Sequence, residues 1–386
     1  MKFDLPQNIK FVLDTLISNG HKAYIVGGCV RDLLCGKTPC DYDITTSAKP
    51  NEIQNIFEKT ISTGIKHGTI TVIADGENIE VTTFRNDGTY TDSRHPNSVN
   101  FVSDVTEDLA RRDFTVNAMC YNENDGLIDC FGGKDDINNR ILRAVGDAKT
   151  RFNEDALRIL RLFRFSATLE FKIEKVTFDA AIECAHLLKN ISAERIFSEL
   201  KKSSMGANLT ALYPLLDCGS LKKYCLVAAD LSKISKLEKN ENLRLFSLIN
   251  LTSTNICKTL NQLKCSNKFK TYCEKMHFLC ENIINENKVS IKNSLNFADA
   301  HIVRDVLIYY RDIIGIDTAK LKALLDEIIS SAEPYLISHL NISGDDIKAL
   351  GINGKEVGKT LEFLLNKVIE NPSLNQREKL IKFICN

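Results

Sequence analysis

The chain has 386 residues, 50 basic and 50 acidic side chains, and no net charge. A neutral balance excludes a protein that coats nucleic acid indiscriminately, though not one with a local basic track. Hydrophobic residues make up 44% and charged residues 26%, which excludes a disordered chain, and no apolar run reaches membrane-spanning length.

The length leaves room for two to four domains with ample core. The N-terminal "MKFDLPQNIKFVLDTLISNG" reads as an amphipathic helix carrying acids, not as a signal peptide. The 13 cysteines are scattered and form no CxxC pair, which predicts reduced thiols and a cytoplasmic location. Cys265, Cys273 and Cys280 suit one helix face better than a zinc site.

β-rich runs follow at "AYIVGG" (23–28), "YDITT" (42–46), "GTITVIA" (68–74), "NIEVTTFR" (78–85) and "GLIDCF" (126–131). Near residue 150 the texture changes. From "NEDALRILRLFRFSATLEF" onward helix-period segments dominate and strand signals vanish. The predicted class is α+β: a mixed-sheet head followed by an all-α remainder. Softer boundaries fall near 205–210 and near 290.

"GGCVRDLLCGKTPCDYD" (27–43) contains Gly36-Lys37-Thr38, the end of a P-loop, but the spacing fails because Arg31 stands where that loop needs glycine. Pro39 follows at once, so a turn is expected there. Asp41 and Asp43 are two apart, and in a strand such residues share a face. Two carboxylates on one face repel unless a divalent cation neutralises them. The other reading is a pair of turn aspartates beside Pro39. Gly27 and Gly28 favour the first, because glycines at a strand end let backbone approach phosphate. Arg31 would neutralise triphosphate oxygens, and Asp32 would hold Arg31 or cap the next turn. Glu80 shares a strand face with Thr82, either as a third acid near the metals or as a plain exposed residue.

"RRDFTVNAM" (111–119) offers Arg111 and Arg112 for phosphates, and Asp113 and Asn117 for a ribose; the alternative is a helix start with Asp113 in its first turn. In "NEDALRILRLFRF" (153–165) Asn153 is expected to cap a helix with Glu154 and Asp155 in its first turn. Asp155 and Arg158 are three apart and share a face. A carboxylate accepts and a guanidinium donates. That pair matches the amine-and-ring-nitrogen edge of cytosine and adenine and mismatches guanine and uracil. Glu154 would orient Arg158. Arg161 and Arg164 continue the series toward phosphate or base.

With these residues in hand, the sequence resembles the class II tRNA nucleotidyltransferase and bacterial poly(A) polymerase family. Gly27-Gly28-x-Val30-Arg31-Asp32 with Asp41-x-Asp43 resembles its nucleotidyltransferase motif. "RRDFTVNA" resembles its ribose-recognition motif, "DCFGGKDDI" (129–137) its hinge, and Glu154-Asp155-x-x-Arg158 its template for CTP and ATP. "AERIFSELKK" (193–202) resembles the motif that closes the neck, and residues 342–384 resemble its C-terminal segment.

The resemblance implies a nucleotidyltransferase head at 1–140, a base-recognising neck at 141–208, a body at 209–290 and a tRNA-binding tail at 291–386. It implies addition of CCA to tRNA from CTP and ATP, with two Mg²⁺ on Asp41 and Asp43 and Glu80 nearby. The acceptor stem and elbow of tRNA would be recognised by shape and backbone. A-only or CC-only addition, and poly(A) synthesis, are the alternatives. Residues 85–104 resemble the flexible loop of full CCA-adding members, but Ser93 and His95 replace a usual Gly and Arg. No His-Asp dipeptide occurs, so the phosphohydrolase domain of longer members is not expected. Monomer and homodimer stay open.

Overall fold

The computed structural model describes residues 2–385 apart from 88–98. Ser93 and His95 therefore lie outside the described residues. The chain forms two compact units, Met1–Ala229 and Asp230–Asn386.

The first unit is built on a mixed sheet. Its strands are β1 (Ala23–Val26), β2 (Asp43–Thr46), β3 (Thr60–Gly64), β4 (Thr69–Ala74) and β5 (Glu77–Thr83). After a short ribbon of β6 (Arg85–Asp87) and β7 (Val99–Phe101) come β8 (Met119–Asn122) and β9 (Gly126–Asp129). The sheet order is β3-β4-β5-β2-β1-β8-β9. β2 pairs antiparallel with β1 and parallel with β5, so it is central and its apolar face is fully covered. Helix α1 (Gln7–Ser18) buries Ile9, Val12, Leu13 and Leu16, one stripe at helical spacing. Each such side chain contributes about 1.5–3 kcal/mol when fully buried.

Short helices connect the strands: α2 (Gly28–Leu34), α3 (Pro50–Ile56), α4 (Val105–Ala110) and α5 (Gly133–Asn138). Gly36 to Pro39 is a turn with no helix after it, in keeping with the failed P-loop spacing.

The helical part of this unit runs through α6 (Ala148–Glu154), α7 (Leu157–Leu169), α8 (Lys175–Cys184), α9 (Ala193–Ser204) and α10 (Tyr213–Asp217). Two expectations need correction. Asn153 does not cap a helix; it sits in the last turn of α6 and donates to Lys149 O at 2.8 Å. The helix breaks at Asp155, whose φ of −139° is extended, and Asp155 Oδ1 then accepts Leu157 N–H at 3.1 Å. Two short helices meet there because Asp competes for backbone donors. Nor do strands vanish entirely after residue 150: β10 (Ile141–Leu142) pairs in parallel with β11 (Lys172–Ile173).

The second unit is helical: α11 (Glu241–Thr252), α12 (Ile256–Gln262), α13 (Asn267–Glu281), α14 (Lys288–Phe297), α15 (Ala300–Tyr309), α16 (Ala319–Ser330), α17 (Gly344–Ala349), α18 (Lys355–Glu370) and α19 (Arg377–Cys385). Phe246 packs edge-on against Tyr272 and Tyr309 in its core. A separate cluster around Ile347, Leu364, Leu365, Val368 and Leu380 holds α17, α18 and α19 together. Among the described residues no helix is long and apolar enough to cross a membrane, and the twelve cysteines whose side chains are described are free thiols.

One glycine is fixed by close approach. A Cβ on Gly133 would stand 2.2 Å from Thr115 O. Gly133→Ala must push that carbonyl away, at a cost of about 1–3 kcal/mol. The midpoint of urea unfolding should fall accordingly, and an unchanged midpoint would show that α5 does not set the position of the 115–117 turn.

Candidate nucleotide and metal site

The site begins where β1, β2 and β5 lie side by side. Asp43 opens β2 and faces Val26 on one side and Glu80 on the other. Asp41 precedes the strand. Glu80 and Thr82 turn to one face while Ile79, Val81 and Thr83 are buried on the other. Burial, then Asp41, then Glu80 push the Asp43 carboxyl up to about 6, with Arg112 opposing. None of the three carboxylates has an ion-pair partner among the described residues. Such oxygens suit a hard divalent cation. No three carboxylate, imidazole or thiol side chains among the described residues form a complete metal site. Asp41 and Asp43 would therefore need oxygens from a ligand to finish the coordination.

β1 pairs its last residue, Val26, with Asp43 and is followed at once by Gly27, whose φ of 80° a side chain would strain. A Cβ there would also meet Arg112 Nη1 at 3.0 Å. Arg112 donates to Asp108 at 3.2 Å, yet its buried Nε has no partner. An unsatisfied guanidinium donor beside a glycine strand end is suited to an anion.

From this point a charged chain crosses to the helices. Arg31 is buried, held by Asp32 at 2.7 Å, and donates to Asn117 Oδ1 at 2.7 Å. Asn117 donates to Asp113 at 3.1 Å, and Asp113 accepts Arg161 Nη2 at 2.6 Å. Asp113 does not start a helix; it is a buried acceptor between two layers. Burial opposes its charge, but Arg161 and the Asn117 hydrogen bond hold it down to about 2. Arg31, Arg161 and Arg164 all approach the Phe165 ring, at 5.3, 5.3 and 4.0 Å from its centre. Desolvation lowers Arg164 to about 10, with Glu199 opposing from 2.8 Å.

The expected base-reading residues are not paired with each other. Arg158 donates to Glu154 at 2.7 Å and to Arg111 O at 2.8 Å. Asp155 is held by Arg195 of α9 at 2.7 Å. Thr115 is pinned by Asp136 at 2.6 Å.

Sequence reasoning missed Asp108. Its side chain is fully buried, and it accepts from Arg111 at 2.7 Å, Arg112 at 3.2 Å, Thr45 at 3.3 Å and Arg85 N–H at 3.3 Å. The signal was present: Asp108 stands three and four residues before the arginine pair, within helical reach. Arg195 and Glu199 were also passed over as site residues, because their partners are remote in sequence.

Comparison with known proteins then places the chain. Residues 23–143 match the Poly A polymerase head domain, and residues 170–221 match the probable RNA and SrmB-binding site of polymerase A. A CCA-adding enzyme of Oceanobacillus iheyensis is 34% identical, over 97% of this chain and 96% of the relative. This chain belongs to the CCA-adding enzyme family. Another member, from Lactococcus lactis subsp. lactis, is 38% identical over 95% of this chain and 94% of its own length. Among solved structures, the Bacillus stearothermophilus CCA-adding enzyme in complex with CTP superposes with a TM-score of 0.85 and 31% identity, covering 96% of this chain and 94% of that one. The family is one of nucleotidyltransferases, and both the mixed-sheet head and the helical remainder agree with it.

Asp108→Asn should leave Arg111 and Arg112 without a buried counter-charge and cost roughly 3–5 kcal/mol. Burial opposes the charge of Asp108, but Arg112 and then Arg111 hold its pKa below the usual carboxylate range. Asp113 is held to about 2. Both carboxyls have depressed folded pKa values, so their stabilisation is complete above the ordinary range and is lost as pH falls toward about 2. Urea unfolding between pH 7 and pH 3 should show the variant weaker at neutral pH and the gap narrowing in acid. A gap independent of pH would remove Asp108 from this role.

Proposed function

We propose that the protein adds CCA to the 3′ end of tRNA without a nucleic-acid template, using CTP and ATP and releasing pyrophosphate. The observation that carries this is Asp43 beside Asp41 and Glu80, pushed up to about 6, next to a glycine–arginine cradle. Likeness along nearly the whole chain to CCA-adding enzymes supports the substrate class. Asp41 and Asp43 would hold two Mg²⁺, with Glu80 beside them. Bound there, the ions would supply charge neutralisation at the 3′-hydroxyl and the departing pyrophosphate.

The chain's own residues do the rest. Gly27 and Gly28 let backbone approach the triphosphate, and Arg31, Arg111 and Arg112 bind its oxygens. Asp113 and Asn117 position the ribose. Asp155 accepts from the exocyclic amine of C or A while Arg158, steadied by Glu154, donates to the ring nitrogen. Arg161 and Arg164 surround the Phe165 ring and complete the positive wall. We assign residues 1–140 to the head, 141–208 to the neck, 209–290 to the body and 291–386 to the tail that meets the tRNA elbow, in a cytoplasmic enzyme. Addition of A alone is the second reading, kept open by Ser93 and His95 in the sequence.

Supplying purified protein with tRNA transcripts ending before CCA, after C and after CC, with Mg²⁺ and CTP, ATP or both, decides between them. Growth from the bare end to CCA and then a stop is expected; A added only to the CC end would establish the second reading. Asp41→Ala should lower both C and A transfer at least roughly a hundredfold while tRNA binding persists. Near-normal turnover would sink the metal assignment. Asp155→Ala should cut C incorporation or admit U and G, and unchanged base choice would make Asp155 structural.

A further inference from the structure

In the second unit the charge balance breaks locally. Between Glu241 and Glu274 the sequence contains no acid but carries Lys258, Lys264, Lys268 and Lys270. Lys275 follows one residue after Glu274. Helix α13 buries Phe269, Tyr272, Cys273, Met276 and Leu279 on one side. A second stripe, flanking the exposed Glu274, is Lys268, Thr271, Lys275 and Phe278, spaced by three, four and three residues. Lys268 and Lys275 make no ion pair among the described residues. Glu281, a turn further on, is taken by His277 at 3.4 Å.

The stripe ends on an exposed aromatic pair. Phe278 is 47% exposed and Phe297, at the end of α14, is 42% exposed. Their rings lie 4.6 Å apart, tilted by 39°. The two rings pack α13 against α14, yet each keeps over two-fifths of its surface in water. With the unpaired lysines they offer what a nucleic acid needs: cations and a face on which an unstacked base can lie.

We propose that the Lys268–Lys275 stripe and the Phe278–Phe297 pair form an RNA-docking face, with the lysines on backbone phosphates and the rings under an unstacked base. The proposal rests on the CCA-addition reading for the identity of the RNA, a tRNA. Lys270, beside the stripe, donates to Asn261 of α12 at 2.8 Å.

The test uses the full chain and a tRNA transcript lacking CCA, with initial rates and filter binding at 50 and 200 mM salt. Lys268→Gln with Lys275→Gln should raise KM for tRNA roughly tenfold at unchanged kcat, and lower the salt slope of binding by about 1.5. Phe278→Ala should weaken binding roughly fivefold or more without altering the slope. Phe297→Ala repeats that arm if the first variant melts early. Unchanged KM and unchanged binding in all variants would overturn the proposal. So would unchanged tRNA binding with loss of a dimer on sedimentation, which would make the face a contact between two copies. If the wild-type protein extends no tRNA, the functional reading fails, and filter binding alone still decides whether this face holds RNA.

Discussion

Arginine cannot shed its charge, so a site built from arginines must be built from carboxylates as well. Six arginines stand in or beside the nucleotide cradle. Each is met by an acid or a carbonyl: Arg31 by Asp32, Arg111 and Arg112 by Asp108, Arg158 by Glu154, Arg161 by Asp113, and Arg164 by Glu199. Truncating one member of such a pair leaves a buried charge uncompensated, which costs far more than the pair itself is worth. The cradle therefore stands or falls as a network. On the proposed reading, a triphosphate would meet a positive wall already braced by these pairs, with little reorganisation left to do.

The same logic separates the carboxylates into two kinds. Asp108 and Asp113 are buried acceptors whose pKa values are held below the ordinary range by guanidinium partners. Asp43 is pushed the other way, first by its burial and then by the charges of Asp41 and Glu80. Acids of the first kind are satisfied by protein. On the proposed reading, acids of the second kind would hold a cation. The protein thus separates arginine-paired carboxylates from unpaired ones by what surrounds them.

Much of this was legible in the sequence. Asp41 and Asp43 were singled out by strand periodicity, yet only Asp43 lies in β2 and Asp41 precedes it; Glu80 was legible because its neighbours Ile79 and Val81 mark the opposite face. Gly27 was legible as a strand-end glycine, and its φ of 80° is one that a side chain would strain. The turn at Gly36 followed from spacing alone. Asp108 was not read, since nothing local says that α4 will bury an acid against Thr45 of β2. The Asp155–Arg195 pair spans forty residues and needs α7 and α9 to pack first. Asn153 misled because a good cap residue beside acids looks the same at the end of one helix as at the start of another. Local rules find residues whose role is local; partners brought together by packing stay hidden.

That difference bears on base choice. Had Asp155 and Arg158 been paired with each other, each would satisfy the other and neither would be poised for a base. Instead Asp155 is tied to α9 through Arg195, and Arg158 is tied to Glu154 and to the carbonyl of Arg111. The acceptor and the donor are thus aimed from separate supports, and their spacing is set by how α6, α7 and α9 pack. The Arg111 carbonyl belongs to the segment whose side chains meet Asp108. A shift in the phosphate cradle would therefore reach Arg158 through one peptide unit. On the proposed reading, selection of the base and placement of the triphosphate would in this way be mechanically one arrangement, with the helix break at Asp155 at its centre.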